Sequence, residues 1–305
     1  MRLGVLDVGS NTIHLQVMDA HSGARPAPTT NHKVELRLTQ YLEVDGSISQ
    51  TGVTLLLEAI ESAIAHAADF DTQEILAFAT SALREAKNGS QIIDLINKRF
   101  DIDLQILTGD EEARITFLAV RRWLGWSAGE LLILDIGGGS LEIALGIDES
   151  PSQALSLPLG AGRLTKDFLA NDPFSAKSLK NLESYVVETL KNNLPTSLKR
   201  HEADHFVATS KTFRTLARIA SQWYDDSPKY LEFSSMLGVV PRLSDMANVQ
   251  RMDLPGVSST RAPQIVAGAI VARTVMDLLN ISQLEICPWA LREGVILRWL
   301  DWMER

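Results

Sequence analysis

Residues Leu131–Leu145 read LLILDIGGGSLEIAL. Four apolar residues lead into Asp135, three glycines follow at 137–139, and alternation then resumes. The pattern predicts a buried strand, a tight glycine turn and a second strand. In the second strand Leu141, Ile143 and Leu145 share one face, and Ser140, Glu142 and Ala144 share the other. An acid at the tip of a buried strand is costly unless a cation or hydrogen-bond donors meet it. Gly137, Gly138 and Gly139 lack Cβ atoms, so their N–H groups can turn toward an anion that approaches closely. The stretch reads as a metal-binding acid beside a phosphate-sized nest, or as an ordinary hairpin with glycine at its bend.

A second copy decides between these. Leu3–Val17 is LGVLDVGSNTIHLQV, and sliding it onto 131–145 pairs Asp7 with Asp135 and Gly9 with Gly137. Ser10, Asn11 and Thr12 then fall on Gly138, Gly139 and Ser140, and Ile13, Leu15 and Val17 fall on Leu141, Ile143 and Leu145. Acid, turn and inward face all match, so the chain reads as two similar α/β domains, each offering an Asp-tipped phosphate loop. Gly125–Gly129 supplies the boundary, giving domains at 1–126 and 127–305, with the final helix (290–305) free to return to the first.

Composition sets the frame. A chain of 305 residues can fill two cores, and 45% apolar with 22% charged residues is ordinary for a globular protein. The lone Cys287 excludes an internal disulfide and suits the cytoplasm, where it would be a buried small side chain. No signal peptide is visible. Ile265–Leu279 is interrupted by Arg273 and Asp277, so no membrane span is expected. The net charge of −9 argues against nucleic acid as a partner and requires positive charge to be concentrated wherever an anion binds.

Between the hairpins the pattern predicts a strand over 32–38, a helix over 51–68, a strand over 75–79, a helix over 91–100 and a strand over 103–107. Thr80–Glu85 is a hydroxyl-rich helix start in which Arg84 is an anion contact or part of a solvated face. Asp110, Glu111 and Glu112 open a helix ending at Leu124, where they serve its macrodipole or supply a general base. Further on, helices are expected over 178–199, 213–222, 261–279 and 290–304, strands over 154–157, 205–208 and 284–286, and irregular chain over 234–255. Lys211, in the hydroxyl-rich turn 209–212, is a second anion contact. Gly160-Ala161-Gly162 before Arg163 is a weak glycine-turn signal. His201-Glu202-Ala203-Asp204-His205 matches the zinc-protease letters, but it falls at a helix end running into a strand rather than on one helical face.

Five motifs, LDVGSNT at 6–12, ATSALREAKN at 79–88, GDEEAR at 109–114, DIGGGSLE at 135–142 and LREGVI at 291–296, together resemble the Ppx/GppA family of exopolyphosphatases and guanosine pentaphosphate phosphohydrolases. The resemblance implies two ribonuclease-H-like domains of the actin, sugar-kinase and Hsp70 superfamily around an interdomain cleft. It implies removal of terminal orthophosphate from inorganic polyphosphate by metal-assisted water attack, with guanosine pentaphosphate as the alternative substrate. A superfamily kinase and a non-catalytic phosphate sensor are remoter alternatives. On this resemblance Glu112 is the catalytic base. Asp7, Asp135 and Glu142 are the acids for Mg²⁺ or Mn²⁺. Gly9, Ser10, Asn11, Thr12, Gly137, Gly138, Gly139, Ser140 and Arg84 hold phosphate. A homodimer is compatible with it. The chain departs from the family pattern at Leu141, at Ser210-Lys211, which replaces a glycine-containing pair, and at Pro288-Trp289.

Overall fold

The computed structural model describes residues 1–21 and 25–303 of the chain. Its strands are β1 (Arg2–Val8), β2 (Thr12–Asp19), β3 (Pro28–Glu35), β4 (Glu74–Ala79), β5 (Leu104–Ile106), β6 (Leu131–Ile136), β7 (Leu141–Gly146), β8 (Gln153–Leu157), β9 (His205–Ala208), β10 (Tyr230–Glu232) and β11 (Gln283–Ile286). They form one sheet in the order β3-β2-β1-β4-β5 and another in the order β10-β11-β9-β6-β7-β8. Without β10 the second order repeats the first, strand for strand. In both sheets the opening hairpin and third strand are antiparallel, and the next strand pairs parallel with the first. This is the doubled α/β architecture that the two matching hairpins predict.

The alternation in each hairpin builds each core. Ile13, Leu15 and Val17 pack with Val53, Leu56, Ile60 and Ala63 of the helix Gln50–Asp69, whose buried residues recur at helical spacing. Ser49 caps that helix, its hydroxyl accepting from the Gly52 N–H at 3.2 Å. Leu141, Ile143 and Leu145 join the second core with Ile265, Ala269 and Ala272 of the helix Ile265–Leu278. Cys287 is buried. Among the described residues no helix is long and apolar enough to cross a membrane.

The chain divides into two units, one of Met1–Thr116 with the segment from Leu291 onward, the other Phe117–Ala290. The division falls inside the helix Gly109–Leu124, ahead of the Gly125–Gly129 turn, because Ile115 packs in a cluster with Leu3, Val5, Phe78 and Ile296 of the first unit. The final helix, Leu291–Met303, belongs to that unit. Gly294 permits its close approach, since a Cβ there would lie under 3.0 Å from the Ile115 carbonyl oxygen. Residues 304–305, included in the expected final helix, lie outside the described residues.

Several boundaries differ from the sequence pattern for local reasons. The third strand is Pro28–Glu35 rather than 32–38, ending where Arg37 turns into the left-handed region (φ 51°). The helix expected over 178–199 is two, Ala176–Asn193 and Thr196–Lys199. Pro195 divides them by forcing Leu194 into extended backbone. Residues 234–255 are not irregular: Phe233–Asp245 is a helix containing Pro241. Pro241 and Leu237, one turn before it, are exposed, so the carbonyl that loses its N–H donor lies on the watered side.

Candidate active site

Each unit presents the same device at the end of its first strand. In the first, β1 ends at Val8 and the Gly9 N–H donates to the Thr12 carbonyl at 3.0 Å; in the second, the Gly137 N–H donates to the Ser140 carbonyl at 2.9 Å. The turn carbonyls are then taken by the segment that follows the third strand. Leu36 and Arg37 donate to Asn11 O at 3.0 Å, and Leu38 to Ser10 O at 2.8 Å. Ala161 donates to Gly137 O and Arg163 to Gly138 O, both at 3.0 Å, while Arg163 Nε donates to Gly139 O at 2.8 Å. The weak glycine signal at 160–162 is thus a strap over the second turn. Gly160 must be glycine there, because a Cβ would lie under 3.0 Å from the backbone of Gly139 and Ser140. With its carbonyls engaged, the turn's polarity is one-sided. Among the described residues the N–H groups of Gly138, Gly139 and Ser140 have no protein acceptor, the condition for an anion nest.

In the first unit the three acids of GDEEAR separate cleanly. Asp110 pairs with Arg114 one turn on, at 2.6 Å and exposed. Glu111 closes a capping box, accepting from the Thr108 N–H at 2.8 Å while its own N–H donates to Thr108 Oγ1. That backbone bond holds the Glu111 carboxyl below the usual carboxylate range. Glu112 alone is buried, at 6% exposure, where its carboxylate pairs with Arg84. Arg84 is held in turn by the Leu107 carbonyl at 2.7 Å. The Ser10–Ser81 hydroxyl bond, 2.8 Å and buried, ties the first turn to the short helix that carries Arg84. Ser10, Arg84 and Glu112 are therefore joined through one set of contacts, and Asp7 lies on β1 three residues before Ser10.

Two partners of Asp7 carried no assigned role in the sequence. His14 lies opposite Asp7 in the β1–β2 register. Arg292, from the LREG motif, donates to His14 Nδ1 and approaches Asp7 Oδ2 at 4.0 Å. A guanidinium only donates, so Nδ1 is the acceptor and the imidazole proton sits on Nε2, facing Asn31 Oδ1 at 3.2 Å.

In the second unit the residue in the place of His14 is Glu142, opposite Asp135 in the β6–β7 register. Two carboxylates directly across a strand pair repel unless a cation lies beside them. Burial pushes the Asp135 carboxyl up, and the Thr209 hydroxyl bond and the Arg214 charge only partly offset it. Glu142, 4% exposed, accepts from Ser156 Oγ at 2.8 Å. Oxygen donors of this kind suit a hard divalent cation that draws further oxygens from water or phosphate. Among the described residues no three His, Cys, Asp or Glu side chains gather as a ready-made metal cage. Lys211 stands exposed on the first turn of the helix Ser210–Tyr224, and the basic side chain whose charge reaches Asp135 is Arg214. Thr209 was detectable: Ala-Thr-Ser closes β4 at 79–81 and β9 at 208–210, and both Thr N–H groups bond back to the first strand, at Val8 O (3.3 Å) and Leu134 O (2.9 Å). The HEADH letters form no site. His201 Nε2 is bonded to the Leu279 carbonyl at 2.9 Å, outside any helix, and His205 begins β9.

The sequence profile of the Ppx/GppA phosphatase family matches residues 17–303. The chain is 48% identical to Exopolyphosphatase 1 of Mycobacterium tuberculosis, over 99% of this chain and 89% of that protein. It is 46% identical to Exopolyphosphatase 1 of Mycobacterium leprae, over 99% and 90%. The crystal structure of an exopolyphosphatase from Cytophaga hutchinsonii aligns with a TM-score of 0.87 at 25% identity, covering 99% of this chain and 98% of that one.

Proposed function

The chain belongs to the Ppx/GppA phosphatase family, and on that premise we propose that it is an exopolyphosphatase, a phosphoanhydride hydrolase that releases terminal orthophosphate from inorganic polyphosphate. The observation that carries the reading to residues is the burial of Glu112 against Arg84 beside the first phosphate turn. The pairing holds the Glu112 carboxylate in place, and a carboxylate can accept a proton. Glu112 is the general base that orients and deprotonates the attacking water. Phosphoryl transfer passes through a loose transition state, so the chain's work is positioning and charge stabilisation. Arg84 has five donors in a fork. It steers Glu112 with one and offers others to phosphate oxygens, which lessens its hold on the base when substrate arrives. The N–H groups of Gly138, Gly139 and Ser140 meet phosphate oxygens in the second unit, and the turn spanning Gly9–Thr12, with the Gly9 N–H closing it, takes phosphate in the first.

Asp135 and Glu142 are the second unit's ligands for a divalent cation, Mg²⁺ or Mn²⁺; Asp7 is the first unit's carboxylate. When bound, the ion neutralises charge on phosphate oxygens. The single buried thiol and the net charge of −9 suit a cytoplasmic enzyme that does not engage nucleic acid. Guanosine pentaphosphate is the less favoured substrate, since the relatives at 46–48% identity carry the exopolyphosphatase name. The deciding assay measures orthophosphate released from short polyphosphate, long polyphosphate and guanosine pentaphosphate under one condition. Polyphosphate should give the highest kcat/KM. A guanosine pentaphosphate value far above both would reverse the assignment.

A further inference from the structure

The first unit holds a cavity of about 470 Å³ that none of the phosphate chemistry uses. Its floor is the face of β4 that carries Leu76 and Phe78, continued by Ile115 and Val295. Its wall is the final helix, where Trp299 and Trp302 stand one turn apart and so share a face. Trp302 is 69% exposed, and an indole that leaves this much apolar surface in water gains by covering it. Volumes of this size suit a small molecule.

The rim has a definite charge. Glu74, Asp103 and Glu111 contribute three carboxylates against one guanidinium, Arg298, whose charge already acts on Glu111. Among the described residues each of the first two carboxylates has one donor: Glu74 accepts from Trp299 Nε1 at 3.2 Å and Asp103 from Gln105 at 3.0 Å. A carboxylate offers about four acceptor sites, so most of their capacity is unspent. Indole faces also attract cations, by about 0.5–2 kcal/mol. An anionic occupant, polyphosphate included, meets repulsion here. A neutral one leaves the acids unanswered.

From this charge and shape we infer that the cavity is an effector site for a small organic cation, an ammonium group on an aromatic or apolar body, seated on Trp299 and Trp302 with its charge toward Glu74 and Asp103. The site borders Leu107, whose carbonyl holds Arg84, and Glu111, whose capping box fixes the helix start that carries Glu112. Occupancy therefore reaches the base through backbone one residue away. Binding itself does not depend on the exopolyphosphatase reading; only the coupling to turnover does.

The test uses the full chain and benzyltrimethylammonium as probe, followed by titration calorimetry in the absence of substrate. Phenylacetate serves as the same body with the opposite charge, and tetramethylammonium as the charge without the ring. The aromatic cation should bind saturably and both controls at least tenfold more weakly. Trp302→Ala and Asp103→Asn should each weaken binding by about 2- to 30-fold, the range of one lost cation–aromatic or charge contact. Trp302→Phe should recover most of the loss, which a folding defect would not allow. With polyphosphate, the probe should change kcat in the unaltered chain, and the probe concentration giving half that change should rise in Trp302→Ala by the same factor as its loss of affinity, both compared at equal ionic strength with tetramethylammonium. Absence of saturable binding, equal binding of phenylacetate, or affinity unmoved by both substitutions overturns the site. Binding with an unchanged kcat overturns the effector role, and if no polyphosphate is hydrolysed at all the calorimetry still decides the site.

Discussion

Glu111 and Glu112 are neighbours of identical chemistry with opposite surroundings, and that contrast yields the sharpest substitution test. Glu112→Gln keeps shape but cannot take a proton, so turnover should fall about 100- to 10,000-fold, with polyphosphate still retained in a binding assay. Glu111→Gln can still close a capping box, so it should stay within a few-fold of the unaltered rate. The opposite pattern would assign the base to Glu111. Asp135 makes a second prediction, and its sign follows from burial. Burial raises its carboxyl, so between the ordinary carboxylate range and the raised value the folded chain binds more protons than the unfolded chain. The resulting stability is present below the ordinary carboxylate range and is lost as pH rises through the raised value. Asp135→Asn should accordingly raise Tm at neutral pH in EDTA. Added Mg²⁺ should raise Tm of the unaltered chain and not of the variant; equal gains in both would remove Asp135 from the cation site. Ser210 makes the third. It occupies φ 70° without being glycine, and its buried hydroxyl has no partner among the described residues. Ser210→Gly should stabilise the chain by about 1 kcal/mol, read as a rise in denaturant midpoint.

Legibility in the sequence tracked how local the cause was. Both hairpins were readable because a strand's two-residue period and a glycine run are written in consecutive letters, and β1, β2, β6 and β7 fall where that period puts them. The separation of Asp110, Glu111 and Glu112 was not, since all three suit a helix start and only the path of Thr108 and Arg84 sorts them. Arg292 stood in a motif with no role attached because its partners, Asp7 and His14, are at the far end of the chain. The helix expected over 178–199 runs through Pro195, which in fact divides it, whereas Pro241 sits inside a helix; a helix tolerates proline only where the orphaned carbonyl reaches water, a matter of tertiary exposure. The strap at 160–163 was likewise underrated. Its worth lies in three bonds to carbonyls twenty-odd residues earlier. Gly160→Ala should therefore push the second turn aside, costing about 1–3 kcal/mol as an overpacked contact and raising KM for polyphosphate more than it lowers kcat. An unchanged KM would show that the turn's N–H groups do not hold substrate.

At the scale of the whole molecule, two sheets of one topology carry unequal acids: Asp7 has histidine and arginine beside it, Asp135 has glutamate. Duplication explains the shared frame, and the difference gives the halves separate duties. The net charge of −9 repels a polyanion at long range, so polyphosphate must be held by short-range donors and cation. Orthophosphate release should show a KM for polyphosphate that climbs steeply with ionic strength at constant free Mg²⁺; a flat response would point to a recognition element that is not ionic. The final helix has a temporal consequence. The first unit takes in the segment from Leu291, so its cluster of Leu3, Val5, Phe78 and Ile115 lacks Ile296 until that segment has emerged from the ribosome. At about 5–20 residues per second, the intervening Phe117–Ala290 is synthesised over roughly 9 to 35 seconds. The second unit can mature during that interval. The first must wait, half-built and with apolar surface showing, so the earlier-made part of this protein is the later to finish and the one a chaperone would attend.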